Sequence, residues 1–526
     1  MSDAHPDEAV QWTGELMAQA EAALAAGDIA RVNDILYDRV VEIGMHHLDR
    51  LEALARSIPD DAVAEHPRLA VLRHGIATFV DQANPTVTFD ISSALRTMHP
   101  EGSPLADHLV AGLGQIFALR ASGRHTDAVD VAEADRRRVA AERGAWLDIP
   151  GPLRSIVLLQ WGLCRLLTVD LDGAVADFQE AFFAGRRTEL PHFARNGAEN
   201  AALLLALTDS LPEAEEWLAN ARSIPPAPHP LRRFVEEADP LVEAAIALAR
   251  LEIDDARKAL DRFTPSPDTN LLWSTASFLR AKTHLLAGEA LEGLDLVDRS
   301  RPPRGGTVES GSFDESLLAL AESELALLAG RAPRAAKVLD RVAPSPLLAV
   351  ARARLALLTG DAAGALAIAT SLREPTTFGR IDLAAIAAVA SEHLARPEEA
   401  DRNLQLAVRL AHARGTVAPF VLLPRVDVEA LVARDREAEE LLAPVLASTS
   451  TSIERVDAVR LSARERLVLA ELARSGSASE IAERLFVSVN TIKSQLRSIY
   501  RKLDVASREE ALTEATRLGF DLDARD

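Results

Sequence analysis

Four cationic residues lie close together near the carboxyl end of the chain, namely Lys493, Arg497, Arg501 and Lys502, and the first three follow one another at intervals of four. An α-helix repeats about every 3.6 residues, so the first three side chains would share one face of a helix. Polar residues precede them or lie between them in the sequence, namely Ser488, Asn490, Thr491 and Ser494. Ammonium and guanidinium groups neutralise phosphates and bond to guanine edges, so such a face could bind the major groove of DNA.

An apolar stripe runs through the same segment and consists of Ile492, Leu496, Ile499 and Leu503. Its spacing predicts an amphipathic helix over about residues 489–503. The basic face has two interpretations at this point, because the outer surface of a small helical bundle is also commonly charged. Charge alone does not separate a DNA-binding face from a solvated one, and the choice depends on the neighbouring elements.

Signals for the start of a helix surround this segment. Three capping boxes of the form Ser-x-x-Glu are present, formed by Ser462 with Glu465, Ser477 with Glu480, and Ser507 with Glu510. In such a box the serine accepts from an amide of the first turn, and the glutamate bonds back to the amide of the serine. Ser488 is a fourth N-cap candidate. The signals predict further helices over about 478–485 and 507–518, and the short turn before residue 489 has helix-turn-helix spacing.

The charge of the chain is divided along its length. The whole sequence of 526 residues carries a net charge of −21. The window from Arg460 to Glu510 holds ten basic and seven acidic residues, which leaves it at +3 and the remainder at −24. An acidic surface disfavours nonspecific binding of nucleic acid by the whole chain. The division therefore predicts separate tasks for the two parts.

Several classes of protein are disfavoured by the sequence. The acidic amino terminus does not read as a signal peptide, and no run of eighteen apolar residues predicts a membrane span. We expect a soluble cytoplasmic protein. The single cysteine, Cys164, excludes an internal disulfide framework and lies in an apolar run, which predicts a packed core thiol.

The sequence also lacks the patterns of common enzyme and metal sites. None of the five lysines follows a glycine, so no phosphate-binding loop of an ATPase is expected. The pair His46 and His47 lacks the spacing of metal ligands. We find no Ser/His/Asp, Glu/Glu or Cys/His arrangement that indicates catalysis. We therefore expect no enzymatic activity, no cofactor and no metal.

A repeating pattern occupies the chain from about residue 10 to 445, where an apolar-periodic helix ends at Gly, Asp or Pro and a second helix soon begins. The turn signals are Gly123, Asp170, Asp209, Asp254, Gly288, Gly330 and Gly360. Their irregular spacing falls in the range of helical-hairpin solenoids, in which stacked hairpins bury a continuous core. The pattern predicts an all-α chain with a helical-hairpin solenoid over 1–446, a flexible linker over 447–459 and a four-helix domain over 460–526.

A motif in the last part of the chain points to a known family. The pattern E-I-A-x-x-L-x-x-S-x-x-T-I-K, followed by I-x-x-K-L-x-V, is complete between Glu480 and Val505. With the flanking segments LSARERLVLAELA and SREEAL, it closely resembles the LuxR-type DNA-binding domain over about 460–520. The resemblance implies that the third helix is the recognition helix, with Lys493, Ser494 and Arg497 as base contacts. It implies phosphate contacts or helix-positioning roles for Ser488, Asn490, Thr491 and Arg501. Thr491 could equally be only a helix-start hydroxyl.

The sequence departs from the pattern of this family at two places. Many relatives have Ser-Asn-Lys before the second helix, whereas residues 477–479 read Ser-Ala-Ser here. A lysine that frequently contacts phosphate is therefore missing, and we expect modest affinity for each module. Gln495 stands where the family usually has histidine, which is a candidate cause of a different base preference.

The predicted fourth helix carries Ala511, Leu512, Ala515 and Leu518 on one face. In the family the corresponding helix pairs with its twin, which implies a homodimer through 507–518 on a two-fold-symmetric site in double-stranded DNA. A dimer would double the phosphate contacts and offset weak single modules. The alternative is that this face packs only within its own module.

The hairpins before the linker resemble degenerate tetratricopeptide repeats. With the segment at 410–448, the chain is similar to the large maltose-regulator-type members of the LuxR family, but without their N-terminal ATPase. This resemblance implies an array that binds a peptide, protein or small-molecule effector. A second interpretation remains open, in which the array is a protein–protein scaffold and the C-terminal module does not bind DNA.

Overall fold

The computed structural model describes residues 6–65, 69, 73, 105–121, 124–188, 191–226, 238–263, 272–301, 311–371, 378–447, 461–474, 477–503, 505, 507–517 and 520. Every regular element within these residues is a helix, which confirms the all-α prediction. No helix in this part of the chain has both the length and the apolarity needed to cross a bilayer. The predicted linker lies outside the described residues except for Ala447, and the predicted turn residue Gly123 lies outside them too.

The helices before residue 300 are α1 (Pro6–Ala25), α2 (Ile29–Ser57), α3 (Asp60–Glu65), α4 (Leu105–Ala121), α5 (His125–Ala141), α6 (Arg143–Asp148), α7 (Gly151–Leu167), α8 (Leu171–Gly185), α9 (His192–Leu207), α10 (Leu211–Arg222), α11 (Asp239–Ala249), α12 (Ile253–Arg262), α13 (Trp273–Ala287) and α14 (Ala290–Ser300). Those that follow are α15 (Phe313–Leu328), α16 (Ala332–Arg341), a 3-10 turn (Pro346–Leu348), α17 (Ala349–Leu358), α18 (Ala362–Ser371), α19 (Arg380–His393), α20 (Pro397–Arg414), α21 (Ala418–Val421), α22 (Arg425–Val432) and α23 (Arg436–Ala447). The C-terminal helices are α24 (Ala463–Arg474), α25 (Ala478–Arg484), α26 (Val489–Leu503) and α27 (Arg508–Arg517).

The chain divides into two compact units. Unit 1 comprises residues 1–246, 258–276 and 304–313. Unit 2 comprises residues 247–257, 277–303 and 314–526, and it includes α24 to α27.

One turn geometry recurs between the two helices of each hairpin before residue 400. Its central residue has a left-handed backbone, and the described examples are Gly27, Val169, Asp209, Leu251, Gly288, Gly330, Gly360 and Ala395. At each one the next amide donates to the carbonyl five residues back, at 2.7 to 3.0 Å. This bond closes a helix end and lets the second helix start at once. Four of the sequence signals mark such residues, whereas Asp170 caps the helix after Val169, and Asp254 lies in the first turn of α12, after Leu251.

Small side chains allow the helices of a hairpin to approach closely. In unit 2, α19 packs on α20, and their shared core holds the fully buried Ala388, Ala390, Ala400 and Ala407. Alanine costs little in helix propensity and leaves room for a neighbouring backbone. This packing explains how a chain with only 4% aromatic residues still forms a core.

Unit 2 also encloses charged groups. The Arg354 side chain is 0% exposed and forms ion pairs with Glu324 of α15 and Asp382 of α19. Burial raises the pKa of Glu324 and acts against the lowering effect of Arg354. The paired charges join three helices of successive hairpins, and an unpaired charge at this depth would be strongly destabilising.

Cys164 lies within α7 in unit 1 and is 1% exposed. Burial raises the pKa of its thiol to about 11. A thiol that stays protonated is a poor nucleophile, so the predicted role as a packed core residue is confirmed.

Candidate nucleic-acid interface

The four C-terminal helices enclose one apolar core. Ile492, Ile499 and Leu503 of α26 are buried in it, and Leu496 is partly buried against it. The core also contains residues from α24, α25 and α27. The predicted inner stripe of the third helix is therefore confirmed, and α26 begins and ends at the predicted residues.

The predicted helix caps are formed. At α24 both bonds of the capping box are present, because Glu465 N donates to Ser462 Oγ at 3.2 Å and Ser462 N donates to Glu465 Oε2 at 2.7 Å. Ser477 Oγ accepts from Glu480 N at 3.2 Å, and Ser507 Oγ accepts from Glu510 N at 3.1 Å. Each cap fixes the first turn of its helix, which in turn fixes the direction in which the helix leaves the turn.

Glu465 does more than cap its helix, and this role was missed in the sequence. Its carboxylate, 5% exposed, accepts from Ser498 Oγ at 2.8 Å and from Lys502 Nζ at 2.6 Å. Both partners belong to α26 and are four residues apart. Lys502, which the sequence places among the basic residues of this segment, thus holds α26 against α24. The signal that could have revealed this was the spacing of Ser498 and Lys502 on the side of α26 away from Arg497.

The environment of Glu465 favours its charged form. Burial by itself would raise the pKa of this carboxyl. The Lys502 ammonium, the Ser462 amide and the hydroxyls of Ser498 and Ser462 outweigh burial and lower the pKa to about 2. Glu465 is therefore ionised at neutral pH, and its contacts with α26 are charge-assisted.

A second carboxylate joins α24 to α25. Glu471 accepts from Arg474 at 2.9 Å and from Arg484 at 3.0 Å. Burial opposes ionisation, but the two guanidinium groups lower the pKa of Glu471. Arg474 and Arg484 are thereby engaged inside the domain.

The outward side of α26 carries the residues predicted to contact DNA. Lys493, Ser494, Arg497, Arg501 and Asn490 are all exposed. At about 100° per residue, they fall within an arc of roughly 100° around the helix axis. None of the three cations forms an ion pair with another described residue. The structure thus brings five of the seven predicted contacts onto one strip.

The other two predicted contacts lie at the start of α26. Ser488 is exposed and accepts from Thr491 N at 3.1 Å, and the two hydroxyls are 2.8 Å apart. Thr491 is half-buried. Its hydroxyl is therefore used in the helix cap, which matches the alternative role considered for it, while its contact with DNA stays a prediction.

A comparison with families of known proteins gives a match in the same region. Residues 459–515 match the family described as bacterial regulatory proteins, luxR family. The C-terminal part of the chain is a LuxR-family helix-turn-helix domain. This family is one of DNA-binding regulators rather than of enzymes. A comparison with curated proteins found no match.

The apolar face of α27 is used inside this LuxR-family domain. Ala511 and Ala515 are fully buried in the core, and Leu512 is partly buried against it. Leu518 lies outside the described residues. The exposed residues of α27 include Glu509, Glu510, Thr513 and Thr516. The predicted dimer would consequently use the polar edge of this helix rather than the alanine stripe.

Proposed function

We propose that the chain is a sequence-specific DNA-binding transcription regulator whose α26 enters the major groove. The observation that carries the proposal is the exposed basic strip of α26 within a LuxR-family domain. The strip is held outward by an apolar face and by the bonds from Glu465, so its orientation does not depend on DNA. A preformed, outward-facing helix behind a short turn is the geometry that major-groove readers share.

The seven predicted DNA contacts have distinct proposed roles. Lys493, Ser494 and Arg497 lie near the middle of α26 and contact base edges. Near the start of α26 are Ser488, Asn490 and Thr491, and Arg501 lies about one turn beyond Arg497. These four contact phosphates or position the helix. Base contacts determine sequence preference, whereas phosphate contacts determine register and overall affinity.

The function is tested by selecting DNA from a random library with the full-length chain. We expect a short enriched motif, because three side chains at base edges discriminate several base pairs. A motif with two-fold symmetry would support the proposed homodimer through α27. Recovery of a single asymmetric half-site would contradict the dimer, while the proposal of sequence-specific DNA binding would still stand. Uniform recovery of all sequences would contradict the proposal.

We further propose that the helical hairpins before residue 447 form a tetratricopeptide-like array that binds an effector or a protein partner. The recurring left-handed turn and the alanine-rich packing of successive helices support a stacked array. All five tryptophans precede residue 300, so their fluorescence reports on this part of the chain. An effector should change that fluorescence and the DNA affinity of the same chain together.

Arg501 provides a test of the phosphate role. We expect Arg501→Ala to weaken binding to every sequence by a similar factor and to lower the slope of log affinity against log salt by about 1 per bound protomer. The measurement is fluorescence anisotropy of labelled DNA at four salt concentrations. A change in sequence preference without a change in the slope would assign Arg501 to base reading instead.

The lysine that is missing from the first turn of α25 provides a test of affinity. We expect Ser479→Lys to raise affinity by about 2- to 5-fold and to raise the salt slope by about 1 per protomer, because it adds one phosphate contact. Ser479 is exposed, so the fold tolerates the change. The matched control is Ala473→Lys, at an exposed position of α24 that lies outside the proposed DNA-binding and dimer surfaces. Equal gains in both variants would show only a general effect of charge.

A further inference from the structure

One large apolar side chain of the helix-turn-helix motif has no role inside the fold. Phe486 lies in the turn between α25 and α26 and is 95% exposed. Its φ of 51° is in the left-handed region, which bulky residues rarely adopt and in which glycine is least strained. Neither core packing nor backbone geometry accounts for a phenylalanine at this position.

An apolar groove lies beside this turn. Its volume is about 650 Å³, and its walls come from α24, the turn and the first part of α26. Leu467, Leu485 and Val487 line it, and Leu467 is 38% exposed. Gln495 Oε1 also lies at this groove, buried and with no hydrogen-bond partner among the described residues. The groove thus offers apolar surface together with an unsatisfied acceptor.

The charges around the groove and around Phe486 are opposite in sign. Arg464 and Arg466 line the groove, are exposed and form no ion pair with another residue of the described part. In contrast, Arg484 of the same domain is paired with Glu471. Glu483, which precedes Phe486 by three residues, is exposed and has no ion pair within the described residues. An aromatic ring with a nearby carboxylate would complement the groove and its two arginines.

We propose that this surface is a contact between two copies of the chain, in which Phe486 of each copy enters the groove of the other. Glu483 then faces Arg464 and Arg466 across the contact. Leu485 and Val487 line the groove on either side of Phe486 in sequence, so ring and groove belong to one continuous surface. A self-complementary surface of this kind allows one two-fold axis to form both contacts at once.

The contact leaves the DNA-binding strip uncovered. Thr491, Ile492 and Gln495 of α26 line the groove. Lys493, Arg497 and Arg501 lie roughly 80° or more away from Thr491 and Gln495 around the helix axis. The copy–copy contact is therefore compatible with DNA binding. Its consequence rests on the proposed function: copies on neighbouring sites would bind cooperatively, because DNA holds them at high local concentration.

The test uses the full chain without DNA, so its result is independent of DNA binding. A chain with p-benzoylphenylalanine in place of Phe486 keeps an aromatic ring there. It is mixed with the ¹⁵N-labelled wild-type chain, irradiated and digested, and adducts between unlabelled and labelled peptides are located by mass spectrometry. We expect adducts on α24 of the labelled chain. The control carries the same probe in place of Phe183, another exposed phenylalanine.

Charge reversal tests the ion pairs. Arg464→Glu combined with Arg466→Glu in the labelled chain should lower the adduct yield at least roughly ten-fold, because like charges would then meet. Glu483→Arg in the probe chain should restore the yield. Adducts that map elsewhere, or a yield equal to that of the Phe183 probe, would overturn the proposal and would assign the groove to a different molecule.

Discussion

Replacing Lys493 and Arg497 together with alanine should lower the affinity for the selected DNA site by a factor of about 100 or more. Each good contact to a base edge contributes about 1–3 kcal/mol, and two lost cations also weaken phosphate attraction. Both side chains are exposed, so the helical content of the chain should not change. The measurements are fluorescence anisotropy with the selected site and circular dichroism of both proteins.

The control for this variant removes equal charge from another place. Arg299 and Arg436 are exposed residues of α14 and α23, each paired with a carboxylate one turn away. We expect Arg299→Ala combined with Arg436→Ala to leave DNA affinity within about 2-fold, because neither residue belongs to the C-terminal domain. The fold should tolerate both changes, because exposed ion pairs contribute only about 0–1 kcal/mol to folding stability. Equal loss in both double variants would mean that net charge, rather than α26, determines binding.

Replacing Glu465 with alanine should destabilise the C-terminal domain by about 3 kcal/mol, because hydrogen bonds to a charged group contribute about 1.5–3 kcal/mol each. The change removes the half of the α24 capping box that the Glu465 side chain supplies, together with its bonds to Ser498 and Lys502 of α26. Hydrogen exchange with mass spectrometry measures the effect, because peptides from α24 and α26 report on this domain alone. Tryptophan fluorescence should be unchanged, since the five tryptophans lie before residue 300.

Two comparisons make the Glu465 result specific. Glu480→Ala, at the exposed third position of α25, should lower the stability of the domain by only about 1 kcal/mol, because it affects a cap without a buried charge.

The folded-state pKa of Glu465 is about 2, below its usual 4.5. Its stabilising effect of about 3 kcal/mol is therefore complete above pH 4.5 and is lost as the pH falls from 4.5 towards 2. Acid sensitivity that is identical in wild type and Glu465→Ala would contradict this role.

The local elements of the DNA-binding domain could be predicted from the sequence because their signals are local. The serine caps at Ser462, Ser477 and Ser507 act within one turn, and the stripe from Ile492 to Leu503 has a clear period. The exposed strip of α26 follows once the buried stripe is known, since the two faces exclude each other. Side chains that depend only on their own helix are therefore placed correctly.

The remaining features depend on contacts between distant parts of the chain. The bond between Glu465 and Lys502 spans 37 residues. The spacing of Ser498 and Lys502 places both on one side of α26, but it does not show that α24 packs there. The burial of Ala511 and Ala515 likewise depends on where α27 packs, so the sequence could not separate a dimer surface from a core. At the hairpin turns, Leu251 adopts a left-handed conformation that its residue type does not signal, so the sequence predicts the turn at Asp254 instead.

The most direct test of the central claim is to attach a photoreactive group to α26 and identify what it contacts on the selected DNA. Ser494→Cys provides the attachment point, and the buried Cys164 does not compete for the reagent. Ala473→Cys on α24, an exposed position outside the proposed binding surfaces, serves as the control position. We predict adducts on bases within the enriched motif from position 494 and none on those bases from position 473. Adducts from position 494 only on DNA outside the motif, or none at all while the site is bound, would contradict the account.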